Sequence, residues 1–256
     1  MAELNLTTQD VLKKLAERKI TIKEAKKHLA VLAIEKIKNA YLDVHRKYRT
    51  GVPEIVYGAG KEEKEIIEAV KILLRRDDYA LVTRLNNPER FRSKLKEFDV
   101  DCNRRAKTLL VKKKSYKFPK VGRVGILAAG TVDVSVAEEA KVAAEVMGCE
   151  VISAYDVGIA GLHRVIEPLK EMLEKNVSAI IVVAGMEGAL PSIVASLIDI
   201  PVIGVPTSVG YGVGEKGLGA LTTMLQTCSP GLAVVNIDNG LGAGIFAGLI
   251  ARKARG

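Results

Sequence analysis

Cysteine is scarce in this chain of 256 residues, and Cys102, Cys149 and Cys228 stand at spacings that fit neither a disulfide framework nor a zinc site. Such a composition suits a reducing cytosol, so a cytoplasmic location is expected. The histidines, His28, His45 and His163, form no metal motif, and no protein-bound metal is expected. Apolar runs are never long enough for a membrane span, because glycine, proline or a charge interrupts each one. The opening residues, Met-Ala-Glu-Leu-Asn, lack the charged-then-apolar layout of a secretory signal. Aromatic residues make up 4% of the chain and do not alternate with its basic stretches in a nucleic-acid-binding motif. Nucleic-acid binding, which would be strongly salt-dependent, therefore ranks last among the functions considered. Neither nucleic acid nor membrane is expected as a partner.

Glycine is nearly missing from one half only. Residues 1–118 hold 3 glycines and residues 119–256 hold 20. Charge divides at the same place: 29 Lys+Arg against 17 Asp+Glu (+12) in the first segment, and 10 against 13 (−3) in the second. The coincidence predicts two domains, 1–118 and 119–256, joined near the basic run Lys112-Lys-Lys-Ser-Tyr-Lys-Phe-Pro-Lys120. The basic half reads as a lysine-rich soluble surface or as a surface that meets phosphates.

In the second segment, β-branched runs at 123–128, 150–154, 179–183, 202–205 and 233–237 alternate with helical stretches. That pattern predicts an α/β fold: a doubly wound parallel sheet of flavodoxin-like order, with ligands outside the carboxyl ends of its strands. Ser135 with Glu138 has the spacing of a capping box for the first helix. The N-terminal segment predicts a smaller α+β domain. A capping box at Thr21 and Glu24 opens a helix to about Asn39, strand-like pieces follow at 41–44 and 55–57, then a helix over 62–74, a strand at 79–83 and a strand-like tail at 106–112.

Glycine-rich turns with isolated polar groups follow the predicted strands and suggest one composite site. Gly130 and Thr131, in Ala129-Gly-Thr-Val-Asp133, end the first strand and could hold a phosphate at a helix N-terminus, with Asp133 serving the cap. Glu187, flanked by Gly185-Met186 and Gly188 after the very apolar third strand, is the candidate for proton transfer, since enclosure there would favour its protonated form. His163 opens a helix on the ligand side. Cys228, in the turn Thr227-Cys-Ser-Pro-Gly231, reads either as a buried small hydrophobe or as a nucleophile. Gly212-x-Gly214-x-x-Gly217 spells a dinucleotide fingerprint but follows the fourth strand, not the first. Gly58-Ala-Gly60-Lys61 lacks the first glycine and the Ser/Thr of a P-loop.

Longer motifs carry a resemblance. Ala129-Gly-Thr-Val-Asp133 with Val136-Ala-Glu-Glu139, Tyr155-Asp-Val-Gly-Ile-Ala-Gly-Leu-His-Arg164, Ala184-Gly-Met-Glu-Gly-Ala-Leu-Pro-Ser192, Val205-Pro-Thr-Ser-Val-Gly-Tyr-Gly212 and Val235-Asn-Ile-Asp-Asn-Gly240 make residues 119–256 resemble the phosphoribosylaminoimidazole carboxylase family, and more closely its LarB branch. Leu42-Asp-Val-His-Arg-Lys-Tyr-Arg-Thr-Gly-Val-Pro-Glu-Ile-Val-Tyr57 and Lys61 extend the LarB resemblance into the N-terminal segment. Val132 departs from it, standing where that family more often has a small or hydroxylated residue.

The resemblance implies that nicotinic acid adenine dinucleotide is carboxylated at ring C5 and its phosphoanhydride hydrolysed, with CO2 or bicarbonate as the second substrate. It implies that Cys228 is the nucleophile; Glu187 is the candidate for the proton transfer, no organic cofactor is expected, and Mg2+ is admissible in the hydrolysis. Gly130, Thr131, Asp133, Asp156, His163, Gly185, Met186, Ser208, Asn236 and Asp238 would hold the nucleotide, and Arg49, Lys61 and Arg84 would meet its pyrophosphate. It also implies a homo-oligomer, an octamer. The alternative within the same fold is a purine-pathway aminoimidazole ribonucleotide carboxylase or mutase, which has little use for Cys228 or the extra domain.

Overall fold

The computed structural model describes residues 8–29, 35–37 and 40–255. Contacts divide the chain into two units. The first comprises Met1–Val82, Ser93–Val100 and Leu110–Tyr116. The second comprises Thr83–Arg92, Asp101–Leu109 and Lys117–Gly256. Two connections that the composition grouped with the N-terminal half thus fold with the C-terminal unit.

The first unit begins with helices α1 (Thr8–Ala16) and α2 (Ile22–Leu29). The Thr21–Glu24 box is formed: the Thr21 N–H donates to Glu24 Oε2 (2.7 Å) and the Glu24 N–H to Thr21 Oγ1 (3.2 Å). The helix does not run to Asn39. It ends at Leu29, and β1 (Glu35–Ile37) pairs antiparallel with β2 (Ala40–Leu42). The remainder of that expected helix, 30–34 and 38–39, lies outside the described residues. Next come α3 (Arg46–Thr50), β3 (Ile55–Tyr57), α4 (Glu63–Arg76), β4 (Tyr79–Thr83), β5 (Asp99–Asn103) and β6 (Thr108–Lys112), and the strands form a sheet of order β3-β4-β6-β5. Helix α4 is amphipathic. Its Ile66, Ala69, Val70, Leu73 and Leu74 are buried, and Glu62 with Glu65 closes a capping box at its start.

The second unit is the expected doubly wound sheet. Its strands β7 (Gly122–Ala128), β8 (Cys149–Tyr155), β9 (Ile180–Ala184), β10 (Val202–Pro206) and β11 (Leu232–Val234) lie all parallel in the order β11-β10-β9-β7-β8. This is the flavodoxin-like order. Alternation along a strand sends neighbouring side chains to opposite faces. Val124, Ile126, Ile181, Val183 and Val205 pack under α5 (Val134–Val146) and α9 (Gly240–Ala254). Leu127, Ile180, Val182 and Val202 pack under α6 (His163–Glu174), α7 (Leu190–Leu197) and α8 (Leu218–Leu225). Helices α5 and α9 approach closely because small residues face each other; a Cβ on Gly244 would lie 2.3 Å from the Ala140 carbonyl oxygen.

Two local readings change. The first helix starts at Val134 with Asp133 as N-cap, a turn-half earlier than a Ser135 cap would have it. Glu138 serves long-range partners instead, accepting from the Tyr155 hydroxyl (2.6 Å) and Asn103 Nδ2 (2.7 Å). The fifth strand ends at Val234, so Asn236 lies in the following loop rather than in a strand extending to 237. Among the described residues, no helix is long and apolar enough to cross a membrane.

Candidate active site

The carboxyl ends of β7, β8, β9 and β10 surround a cavity of about 290 Å³. Gly130, Asp133, Asp156, Gly185, Met186 and Glu187, all predicted from sequence, line it, and Arg164, Ile159 and Val209 complete much of the wall. The lining is mostly apolar, and its ionisable groups are Asp133, Asp156, Glu187 and Arg164.

Asp133 organises this end of the sheet. It is 3% exposed. Its Oδ2 accepts from the Gly130 N–H (2.9 Å), and its Oδ1 accepts from the Thr207 hydroxyl (2.6 Å). One carboxylate therefore ties the loop after β7 to the end of β10. Burial pushes its pKa above the ordinary aspartate value, while the Thr207 hydroxyl and the Gly130 and Gly185 N–H groups pull it back down. Asp133 occupies the N-cap position without bonding its own helix. The capping role expected of it is replaced by a role in joining loops. Thr207, fully buried, was missed; the motif drew attention to its exposed neighbour Ser208.

The loop after β9 is strained on its lining side. Met186 adopts φ 52°, a left-handed conformation that non-glycine residues seldom take. Its N–H donates to the Val209 carbonyl (3.1 Å), which fixes the loop after β9 to the loop after β10. Gly185 must be glycine, because a Cβ there would lie 2.5 Å from the Val209 carbonyl oxygen and 2.6 Å from Thr207 Oγ1. Glu187 is exposed within a single chain, so the apolar enclosure expected of it is not supplied by its own loop.

Beyond β8, Asp156 is also left-handed (φ 61°) and accepts from Arg164 Nη1 (2.6 Å). Arg164 turns back over Gly161, where a Cβ would meet its Nε at 2.5 Å. His163 is exposed and does not line the cavity. The charged group on the wall is its neighbour, and the signal available in the sequence was the Gly161 placed one helical turn before Arg164.

Ser208 and Thr131 are exposed on the same end of the sheet without lining the cavity. The Ser208 N–H donates to Asp238 Oδ1 (2.8 Å), and Asn236 Oδ1 accepts from the N–H of Ile237 (2.9 Å). Arg84, counted with the C-terminal unit, is not a free cation. Its Nε lies 3.1 Å from Glu139 Oε1, and Nη2 donates to the Asp238 carbonyl. Arg49 and Lys61 belong to the N-terminal unit, where Arg49 pairs with Asp43 and Lys61 is exposed.

Cys228 is exposed, in the connection from α8 to β11. Gly231, three residues on, accepts from the N–H of Val202, the first residue of β10. Cys228 thus stands at the amino end of the sheet, and Glu187 at the carboxyl end. Among the described residues, no group of three or more His, Cys, Asp or Glu side chains could hold a metal ion.

Comparisons with known proteins, not the sheet alone, place the chain in the PurE-like carboxylase and mutase class. The family model described as AIR carboxylase matches residues 123–255, and one described as LarB/PurE-like N-terminal domain matches residues 34–114. The chain belongs to the AIR carboxylase family and has the domain pairing of its LarB branch. It is 52% identical over 250 residues to an uncharacterized protein of Methanocaldococcus jannaschii, covering 95% of this chain and 96% of that one. It is 34% identical over 135 residues to the N5-carboxyaminoimidazole ribonucleotide mutase of Thermotoga maritima, covering 50% of this chain and 74% of the mutase. Among solved structures it is similar to PurE2 of Treponema denticola at 21% identity and TM-score 0.40, covering 54% of this chain and 89% of that one.

Proposed function

We propose that the protein carboxylates the pyridinium ring of nicotinic acid adenine dinucleotide at C5 and hydrolyses its phosphoanhydride, giving pyridinium-3,5-biscarboxylic acid mononucleotide and AMP. The observation that carries this reading is the pairing, in one chain, of an AIR carboxylase domain with a LarB/PurE-like N-terminal domain. The exposed Cys228 supports it, because the chemistry needs a thiol.

A pyridinium ring is electron-poor, and its C5 does not attack CO2. Addition of the Cys228 thiolate to C4 gives a dihydropyridine in which C5 is the nucleophilic carbon of an enamine. C5 then bonds to CO2, Glu187 removes the C5 proton, and the electron pair of that C–H bond restores the ring as the C4–S bond breaks. Covalent catalysis divides one inaccessible step into feasible ones. The backbone N–H and hydroxyl of Thr131, ahead of α5, suit an anionic group of the nucleotide, and Arg164 is the cation on the cavity wall. Ser208, Asn236 and Asp238 would hold the ribose in this reading. Mg2+ would serve the hydrolysis through the substrate's own phosphates. Because Cys228 and Glu187 stand at opposite ends of one sheet, a neighbouring copy in a homo-oligomer, an octamer in this reading, supplies the thiol. A cytosolic setting belongs to the same proposal.

A second reading has its own support. The relatives that match the C-terminal unit include N5-carboxyaminoimidazole ribonucleotide mutases. Incubation with labelled bicarbonate and either nicotinic acid adenine dinucleotide or aminoimidazole ribonucleotide, followed by mass analysis, separates the two. We expect the dinucleotide to gain one carboxyl group and release AMP. Faster carboxylation of the aminoimidazole would establish the second reading instead.

A further inference from the structure

Glu139 is a buried carboxylate that the proposed reaction does not use. It is 3% exposed, on α5, among alanines and valines. A charge so placed persists only with close partners. Glu139 Oε1 accepts from the Thr83 hydroxyl (2.5 Å) and lies 3.1 Å from Arg84 Nε; its Oε2 accepts from Arg84 Nη2 (3.3 Å) and from the Leu241 N–H (3.2 Å) at the start of α9. Arg84 is itself held in a left-handed conformation (φ 59°).

The guanidinium reaches further. Arg84 Nη2 also donates to the carbonyl of Asp238, another left-handed residue (φ 56°). A strained backbone of that kind lasts only where its surroundings fix it. The Asp238 N–H donates to the Pro206 carbonyl (2.8 Å), and its carboxylate accepts from the Ser208 N–H. The next carbonyl, that of Val209, receives the Met186 N–H, and Val209 and Met186 are cavity wall. Polar contacts therefore link Glu139 through Arg84 and Asp238 to Ser208, and the peptide bond to Val209 carries the connection to the lining.

We infer that Arg84 and Glu139 are positioning residues: a clamp of a half-buried guanidinium on a buried carboxylate that holds Asp238 left-handed and so sets the 207–209 loop against the cavity. Arginine is required because a planar fork can serve a carboxylate and a carbonyl on different elements at once, which a point ammonium cannot. Arg84 then has a role other than contact with pyrophosphate. Thr83–Arg92 lies within the stretch matched by the LarB/PurE-like N-terminal domain, yet folds with the C-terminal unit. A short piece of that region completes a loop of the catalytic unit.

The test uses full-length Arg84→Met, Arg84→Lys and Glu139→Gln. Amide hydrogen exchange is followed at Ser208, Val209 and Met186, with β7 and β8 as internal references. In Arg84→Met we expect exchange at those three amides to accelerate by about tenfold or more while the references stay unchanged. Arg84→Lys, which keeps the cation and the fold, should show the same local loosening to a smaller degree. For whichever nucleotide is turned over, kcat/KM should fall by about tenfold to a hundredfold, mostly through KM. The kinetic arm rests on the cavity being the active site. The exchange arm uses no substrate, so failure of the proposed reaction leaves it intact. Unchanged exchange in a folded variant, or acceleration spread evenly over the whole unit, would overturn the clamp. So would a kinetic loss without local loosening, which would mark Arg84 as a direct substrate contact.

Discussion

At the carboxyl end of the parallel sheet, Asp156, Met186 and Asp238 are left-handed, Gly185 has no room for a Cβ, and Asp133 ties the loops together. At the amino end, Cys228 lies exposed in a turn and Gly231 has open space around it. The first end encloses a cavity within fixed loops; the second carries an exposed thiol and little enclosure. The sheet keeps them apart: four strand steps alone amount to roughly 13 Å. A bond between Cys228 and a ring beside Glu187 therefore needs both ends, and one chain presents them in opposite directions.

The largest effect expected from this contrast is at Cys228. Cys228→Ala should reduce carboxylation to background while unfolding free energy stays within about 0.5 kcal/mol of wild type, as for an exposed side chain. Near-normal turnover by the folded variant would remove the thiol from the mechanism.

Glycine substitutions should separate the two ends next. A methyl group on Gly185 forces the Val209 carbonyl and Thr207 away, so Gly185→Ala should cost about 1–3 kcal/mol in urea unfolding and raise KM. Gly231→Ala meets only the left-handed penalty of its φ of 91°, about 1–2 kcal/mol, with KM unchanged. Equal KM effects would show that the carboxyl end is not the binding end.

The smallest effect concerns the thiols. Iodoacetamide at pH 8 should label exposed Cys228 well before buried Cys149. Burial pushes the Cys149 thiol up to about 11 from 9.0. Its folded value is the higher one, so the stability it contributes is complete below pH 9, where the thiol is neutral in both states. That contribution is lost as pH rises through about 11. Wild type should lose stability across that window and Cys149→Ala less of it, as read by thermal melts.

Much of the sheet was legible because its strands are short β-branched runs closed by glycine or proline, and their spacing admits few topologies. Gly130, Asp133, Asp156, Gly185, Met186 and Glu187 were legible as cavity lining because strand-end loops enclose the crevice at the carboxyl ends of such sheets. What escaped depends on partners distant in sequence. Arg84 looked like a ligand cation because its acceptors, Glu139 and Asp238, are 55 and 154 residues away. Asp133 displaced the Ser135 cap because Thr207, 74 residues on, draws its carboxylate inward. His163 was chosen over Arg164 for its chemistry, whereas the helix start decided which of them lines the cavity. The helix expected to reach Asn39 gave way to β1 because pairing with β2 outweighed local propensity.

Subunit complementation tests the central claim most directly. Cys228→Ala and Glu187→Ala proteins, each inactive alone, are unfolded together, reassembled and assayed for carboxylation of nicotinic acid adenine dinucleotide. The account predicts that mixed assemblies regain part of the wild-type activity, because some sites combine an intact Cys228 from one chain with an intact Glu187 from another. No recovery, with mixing of the two chains proven by mass, would contradict it.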